Sequence, residues 1–373
     1  MHHKLICKFF SKFLIAILVV TFIAGGTLIN SFACVNLKDK DIDEYISNMT
    51  IEEKVGQLFV LRYPQNNLDK ACELIEKYKI GGFTLFSCDF KDKTADEVRH
   101  MITTIQSKSK IPLIVSVDEE GGIVVRCSGN PKLRNKRFKS PRELYVSGGR
   151  DLIKLDTKEK AEFLKDLGVN MNLAPVADVV TNKNGRLYKR ALGENAEKTS
   201  DYVKTVVEEM NANGIKSVLK HFPGYGNTNK DTHINSSIDK KTISEYRTVD
   251  FLPFISGINA GVSGIMVSHT EVPAIDDRPM SMSNKCVEIL RKELGFNGLL
   301  ITDGLDMGAA TIYCEKCGEM PGALALKAGF DVLLLLNVEK EYQEILNAVN
   351  SGKIPVSQIN ESVKRVLMLK RVL

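Results

Sequence analysis

Short apolar or β-branched runs recur along the chain at Leu58–Leu61, Phe83–Phe86, Leu113–Val117, Val169–Leu173, Ser217–Leu219, Gly264–Val267, Leu299–Thr302 and Val332–Leu336. Each has the length of a buried strand. Between them lie longer stretches with helical periodicity, such as Tyr342–Val349 and Ser200–Asn213, where Val203, Val206, Val207 and Met210 fall on one face. Ahead of the first run, Ile42–Gln57 is amphipathic, and Thr50 followed by Glu53 predicts a capping box for a helix beginning at Ile51. A basic amphipathic helix is expected over Val356–Leu373, and no repeat of fixed period or low-complexity linker interrupts the rhythm.

Strands alternating with helices imply parallel pairing through right-handed crossovers. Five of the eight runs stop on a polar or ionisable residue: Asp118, Asn172, Lys220 with His221, His269 and Asp303. Polar residues end strands in any fold, but this recurrence favours a closed α/β architecture, the (β/α)8 TIM barrel, over an open doubly wound sheet. In a barrel the C-terminal strand ends converge on one mouth, so residues distant in sequence face a common pocket. Residues 34–373 are expected to form a single catalytic domain, with nothing left for a second.

The first 33 residues read differently. Lys4, Lys8 and Lys12 surround the start of an apolar run from Phe13 to Ile29, and the small residues Ser31 and Ala33 follow in the pattern a signal peptidase prefers. The segment is expected to be a signal peptide or, since the run approaches the roughly 20 residues that span a bilayer, an N-terminal membrane anchor. Cys34 stands where a lipid-modified cysteine would, although Ser31 occupies the usual leucine position of a lipobox. The protein is therefore expected to be exported, either secreted or attached to the outer face of the cytoplasmic membrane.

Composition adds exclusions. With 373 residues, 43% hydrophobic and 26% charged, the chain is an ordinary globular one. The formal net charge of +5 includes the three early lysines, which leaves +2 from Lys38 onward. That is too little to argue for a nucleic-acid partner, and there is no basic stripe interleaved with aromatics. Eight cysteines do not make a disulfide scaffold in a chain of this size. Cys314 and Cys317 form a CxxC pair without the second pair or histidine cluster of a zinc site, so two loop thiols or a local disulfide are expected and no metal. A monomer is expected.

Three segments carry candidate chemistry. Asp303, in Gly298-Leu-Leu-Ile-Thr-Asp-Gly-Leu-Asp-Met307, is a strand-end carboxylate that could attack an anomeric carbon and form a glycosyl-enzyme ester. It could equally cap the following helix, although Asp306 suits that role better. In Lys220-His-Phe-Pro-Gly-Tyr-Gly-Asn-Thr-Asn-Lys-Asp-Thr-His233, Asp231 lies two residues from His233. The carboxylate could fix the imidazole tautomer for acid/base work, or both could be solvated side chains of a loop. Asp118-Glu-Glu-Gly-Gly-Ile-Val-Val-Arg126 ends a strand in a carboxylate, turns on paired glycines and returns an arginine, which suits either sugar hydroxyls or a surface ion pair.

These segments resemble glycoside hydrolase family 3. Asp118-x-Glu120-Gly-Gly-x-Val-x-Arg126, Asn172-Leu-Ala-Pro-Val-Ala-Asp178, Arg190-Ala-Leu-Gly193, Lys220-His-Phe-Pro-Gly-x-Gly226, Asp231-x-His233 and Thr302-Asp303-x-Leu-x-Met307 occur in the family's order. The likeness is strongest to its bacterial single-domain β-N-acetylglucosaminidases (β-hexosaminidases) and runs from about Ile51 to the C-terminus. The resemblance implies a retaining enzyme without cofactor or metal that removes terminal N-acetyl-β-D-glucosamine from cell-wall fragments such as muropeptides. In it Asp303 would be the nucleophile and the Asp231/His233 pair the acid/base. Asp118, Arg126, Arg190, Lys220 and His221 would bind the sugar. The sequence departs from the family at Tyr225 and Asn227, at Thr232 between the dyad members, and at Ile123, where an arginine is common. Alternatives on the same scaffold are a phosphorylase, a β-glucosidase or a glycan-binding protein without turnover. An aldolase using Lys220 is a more distant one.

Overall fold

The computed structural model describes residues 35–225 and 237–373. The run Phe13–Ile29 and Cys34 lie outside the described residues, and among the described ones no helix is long and apolar enough to cross a membrane. The unit that begins at Phe32 is built on eight parallel strands: β1 (Phe59–Arg62), β2 (Gly82–Leu85), β3 (Ile114–Val117), β4 (Met171–Asn172), β5 (Lys216–Phe222), β6 (Gly264–Val267), β9 (Leu299–Thr302) and β10 (Leu333–Leu335). They pair in the order β10-β1-β2-β3-β4-β5-β6-β9. The ends of that order meet where Ile301 bridges Val332 in parallel and Thr302 N donates to Val332 O at 3.0 Å. The sheet is the closed (β/α)8 barrel expected from the apolar runs.

Each run lies on a strand, with differences that have local causes. β4 keeps only two residues of Val169–Leu173, although Leu173 N still donates to Val117 O at 2.8 Å. β5 is longer than Ser217–Leu219 and carries Lys220 and His221 inside the strand. A small antiparallel pair, β7 (Glu271–Val272) with β8 (Asp276–Pro279), follows β6 and has no apolar alternation that would announce it.

The helices cover the barrel. Ala196–Ala212 buries Val203, Val206, Val207 and Met210, as its periodicity requires, and Asn195 caps it by accepting from Lys198 N. Thr50 and Glu53 form the expected reciprocal capping box at Ile51–Gln57, while Ile42–Ser47 is a separate helix ended at Asn48. Pro141–Asp166 has an equally clear start, with Ser140 and Glu143 as capping box and Pro141 in the first turn. Its charge-dense sequence hides the apolar face, and Gly149, at φ 60°, breaks it into two helices. Cys314 and Cys317 lie in the helix Gly308–Cys317 rather than a loop, and both are free thiols.

One buried carboxyl sets a pH dependence. Glu341, on Glu339–Asn350, is 4% exposed and accepts a hydrogen bond from Gly322 N at 3.0 Å. Burial is the main cause that pushes its pKa from 4.5 up to about 7. A carboxyl whose pKa is raised on folding costs stability once the unfolded chain would ionise it, so the cost is absent below about pH 4.5, grows as pH rises toward 7 and is complete above that. Glu341→Gln keeps an acceptor for Gly322 and removes the charge. It is expected to stabilise the protein by about 1–3 kcal/mol at pH 8, a few degrees in Tm, and by clearly less at pH 5. Thermal melts at the two pH values check this; an equal gain at both would assign the effect to packing.

Candidate active site

The strand ends open on a cavity of about 450 Å³. Asp118, Arg126, Arg190, Lys220, His221 and Asp303 all line it, so the structure brings together every predicted site residue that it describes. Asp231 and His233 lie outside the described residues.

The turn after β3 shapes one wall. Gly121 and Gly122 take φ values of 101° and 64°, and a Cβ on Gly121 would sit 2.1 Å from Lys139 O. The paired glycines therefore let the chain reverse and return Val124 and Arg126 to the cavity. Glu119 secures the return by accepting from Arg126 N at 2.7 Å and Cys127 N at 2.8 Å, and Ser128 Oγ also donates to it. Ile123 points away and is 60% exposed, so the departure at that position changes the rim of the turn and not the cavity lining.

The floor is a chain of ion pairs. Arg126 Nη2 lies 3.1 Å from Asp118 Oδ2, and Lys220 Nζ lies 2.6 Å from Asp118 Oδ1 and 2.7 Å from Glu120 Oε1. Arg190 closes the chain with two bonds to Glu120, 2.9 Å from Nε and 2.7 Å from Nη2. Burial disfavours both charged carboxylates, but Lys220 and the arginines outweigh it: Asp118 is held well below the usual carboxylate range and Glu120 is lowered to about 2. Lys220 Nζ is engaged by two carboxylates at the cavity wall, an arrangement that anchors a charge and does not single it out as the Schiff-base amine of the aldolase alternative.

His221 is oriented from behind. Asp178 Oδ2 lies 2.8 Å from His221 Nδ1 and accepts from His221 N at 3.1 Å, while Oδ1 accepts from Tyr225 N at 2.7 Å. The ring of Tyr225 meets the His221 ring edge-on at 5.1 Å, so tyrosine at this departure packs the imidazole and lines the cavity. Asn227 and Thr232 lie outside the described residues.

Asp303 stands apart from the floor network. Its Oδ1 accepts from Gly304 N at 2.8 Å, and it forms no ion pair among the described residues. Burial works against its charge, but His221, His269, the Gly304 N–H and Lys220 together hold its pKa below the ordinary value. Asp306, three residues on, does not cap the next helix: Met307 occupies that position without a side-chain cap. Asp306 instead lines the cavity, where partial desolvation raises its pKa.

Two of the five polar strand ends turn inward to brace the backbone. Asn172 bonds both the N–H and the carbonyl of Glu119. His269 bridges Ser281 Oγ at 2.6 Å and Gly304 O at 2.8 Å, which fixes the turn that carries Asp303. Glu120 and Asp178 belong to the site although sequence reasoning passed over them as candidates. Both stand inside the quoted motifs, and their spacing from Asp118 and before Lys220 was the available signal.

The family model for the glycosyl hydrolase family 3 N terminal domain matches residues 50–369. The chain belongs to glycosyl hydrolase family 3. It is a glycoside hydrolase, and several relatives bear on its specificity. The β-hexosaminidase of Thioalkalivibrio sulfidiphilus (strain HL-EbGR7) is 31% identical over 289 residues, 76% of this chain and 81% of that protein. The β-N-acetylglucosaminidase/β-glucosidase of Cellulomonas fimi is 27% identical over 339 residues, 87% of this chain and 58% of that one. Among solved structures, the family 3 β-N-acetylglucosaminidase from Paenibacillus sp. str. FPU-7 superposes with a TM-score of 0.79 at 28% identity, covering 87% of this chain and 63% of that one.

Proposed function

We propose that this family 3 hydrolase is a retaining exo-β-N-acetylglucosaminidase that releases terminal, non-reducing N-acetyl-β-D-glucosamine from cell-wall fragments. One observation carries the mechanism: of the carboxylates at the strand ends, Asp118 and Glu120 are held by cations, whereas Asp303 is ionised, without an ion pair among the described residues, and open to the cavity. A carboxylate in that state is a nucleophile rather than a hydroxyl-binding group. The Asp118–Lys220–Glu120–Arg190 floor offers fixed charged partners to sugar hydroxyls, each bond worth about 1.5–3 kcal/mol.

In the first step Asp303 attacks C1 and the bond to the leaving oxygen breaks as protonated His233 donates to it. In the second, neutral His233 takes a proton from water, water attacks C1, and the ester to Asp303 breaks. Two inversions give net retention. Asp231 supports the imidazolium present before the first step and regenerated by the second. The names of the relatives supply the acetamido sugar, and a cavity of about 450 Å³ has room for a single terminal residue.

A panel of chromogenic N-acetyl-β-glucosaminide, β-glucoside, β-xyloside and β-galactosaminide substrates tests the reading. The N-acetyl-β-glucosaminide is expected to give the highest kcat/KM, the β-anomer of the sugar to appear first by NMR, and added phosphate to yield no sugar 1-phosphate. A faster β-glucoside, or accumulation of sugar 1-phosphate, would replace the assignment with one of the other activities of this scaffold.

A further inference from the structure

Cys314 and Cys317 stand outside the catalytic cavity, and what surrounds them gives the pair a use of its own. Cys314 is 5% exposed, and its thiol donates to Met282 Sδ at 3.7 Å. Cys317, at the end of the helix Gly308–Cys317, is exposed. Its thiol donates to Cys314 O at 3.5 Å and lies within hydrogen-bonding reach of the Cys314 thiol. Met282, 1% exposed, comes from the 3-10 turn Met280–Met282. The fold thus brings a thioether from a separate element onto a pair of thiols, a neighbour that the CxxC spacing by itself does not announce.

The donor set decides which ligand fits. Among the described residues no three histidine, cysteine or carboxylate side chains are placed to hold an ion, so the four-ligand site that zinc requires is not built. Three sulfurs, two of them thiols that become thiolates on binding, select a soft ion, and Cu(I) is the biological one. The spacing suits it: two sulfurs 3.7 Å apart, each about 2.3 Å from a common ion, subtend about 110° there. Cys314 also lines an outer groove of about 580 Å³. Asp306, Glu315, Glu319, Glu341 and Glu344 line the same groove against Lys340, so its field draws a cation toward the sulfurs.

We propose that Cys314, Cys317 and Met282 form a binding site for a soft monovalent metal ion of the Cu(I) class. On binding, each thiol loses its proton to water, and the two thiolates and the thioether donate lone pairs to the ion, with no change of oxidation state. The bound ion ties the end of the helix Gly308–Cys317 to the turn that holds Ser281. That serine is the partner of His269, which in turn holds Gly304 O beside Asp303. Occupancy therefore braces the turn of the proposed nucleophile from outside the cavity, whatever glycoside the cavity takes.

The test titrates the full chain, reduced and metal-free under anaerobic conditions, with Cu(I) in competition with the chelator bicinchoninate. A second titration uses Ag(I), which seeks the same donors. The wild type is expected to take up one equivalent more of either ion than Cys317→Ser, whose exposed position spares the fold. Met282→Leu keeps both thiols and should hold that equivalent about tenfold or more weakly, at least the loss that follows removal of a supporting group from a metal site. The loaded wild type should melt a few degrees above the metal-free protein, and Cys317→Ser should show no such shift. Equal uptake by the wild type and Cys317→Ser would give the metal to other cysteines and overturn the proposal. Equal affinity in Met282→Leu would remove the thioether, and with it the three-sulfur site.

Discussion

Asp303→Ala is expected to lower kcat on the order of 10⁴-fold or more, because it removes the atom that forms the covalent bond and not a contact to it. The fold should survive. The side chain is half-buried and its one hydrogen bond among the described residues, from Gly304 N, is worth about 1 kcal/mol net, while the backbone bond from Asp303 N to Val267 O remains. Tm should therefore move by only a few degrees, which separates lost chemistry from lost structure. A 5-fluoro glycosyl trap on the wild type should label the peptide that contains Asp303. Asp306 shares that peptide and faces the same cavity, so labelling is repeated on Asp306→Asn. Retained labelling is expected, and its loss would move the nucleophile to Asp306.

His233→Ala is expected to give the second largest effect, one that depends on the leaving group. Dinitrophenyl glycosides depart without a proton and should be spared in the first step. Alkyl glycosides and disaccharides need one in the transition state and should lose rate by about 10²–10⁴-fold, the usual worth of general acid catalysis. A plot of log kcat/KM against leaving-group pKa should steepen accordingly. Asp231→Asn should give a milder form of the same trend and lower the upper pKa of the kcat/KM profile, since removing the carboxylate makes the imidazolium easier to deprotonate. Near wild-type rates for both variants would reduce these residues to solvated loop side chains. Equal loss across all leaving groups would point to binding or folding instead.

Acid should weaken the cavity itself. Glu120 is lowered on folding from 4.5 to about 2, and Asp118 is depressed in the same direction, so their pairing contributes stability above about pH 4.5 that is lost as pH falls toward 2. The trend opposes that of Glu341, whose burial favours the neutral carboxyl at low pH. Glu341 and the cavity carboxylates thus respond to acid in opposite directions, because cations surround Asp118 and Glu120 and none offsets the burial of Glu341.

Much of the architecture was legible in the sequence because strand and helix formation depend on local spacing. Gly264–Val267 and Leu299–Thr302 are strands with the boundaries their apolar runs predict, and Thr50 with Glu53 caps a helix through side chains three residues apart. Alternation of these elements also forecast parallel pairing and a common mouth for Asp118, Lys220, His221 and Asp303. Partnerships across the barrel were not legible. Lys220 meets Asp118 from 102 residues away and Arg190 meets Glu120 from 70, so only closure of the sheet decides which charges neutralise one another. That closure leaves Asp303 without an ion pair among the described residues, turns Asn172 and His269 from the cavity to the backbone, and places Asp306 in the pocket where sequence suggested a cap. The sequence by itself determined the elements and the residue types at their ends. Tertiary structure decided which of those residues keep a free charge, because the energy of a charge depends on its neighbours in space and on how much water remains around it.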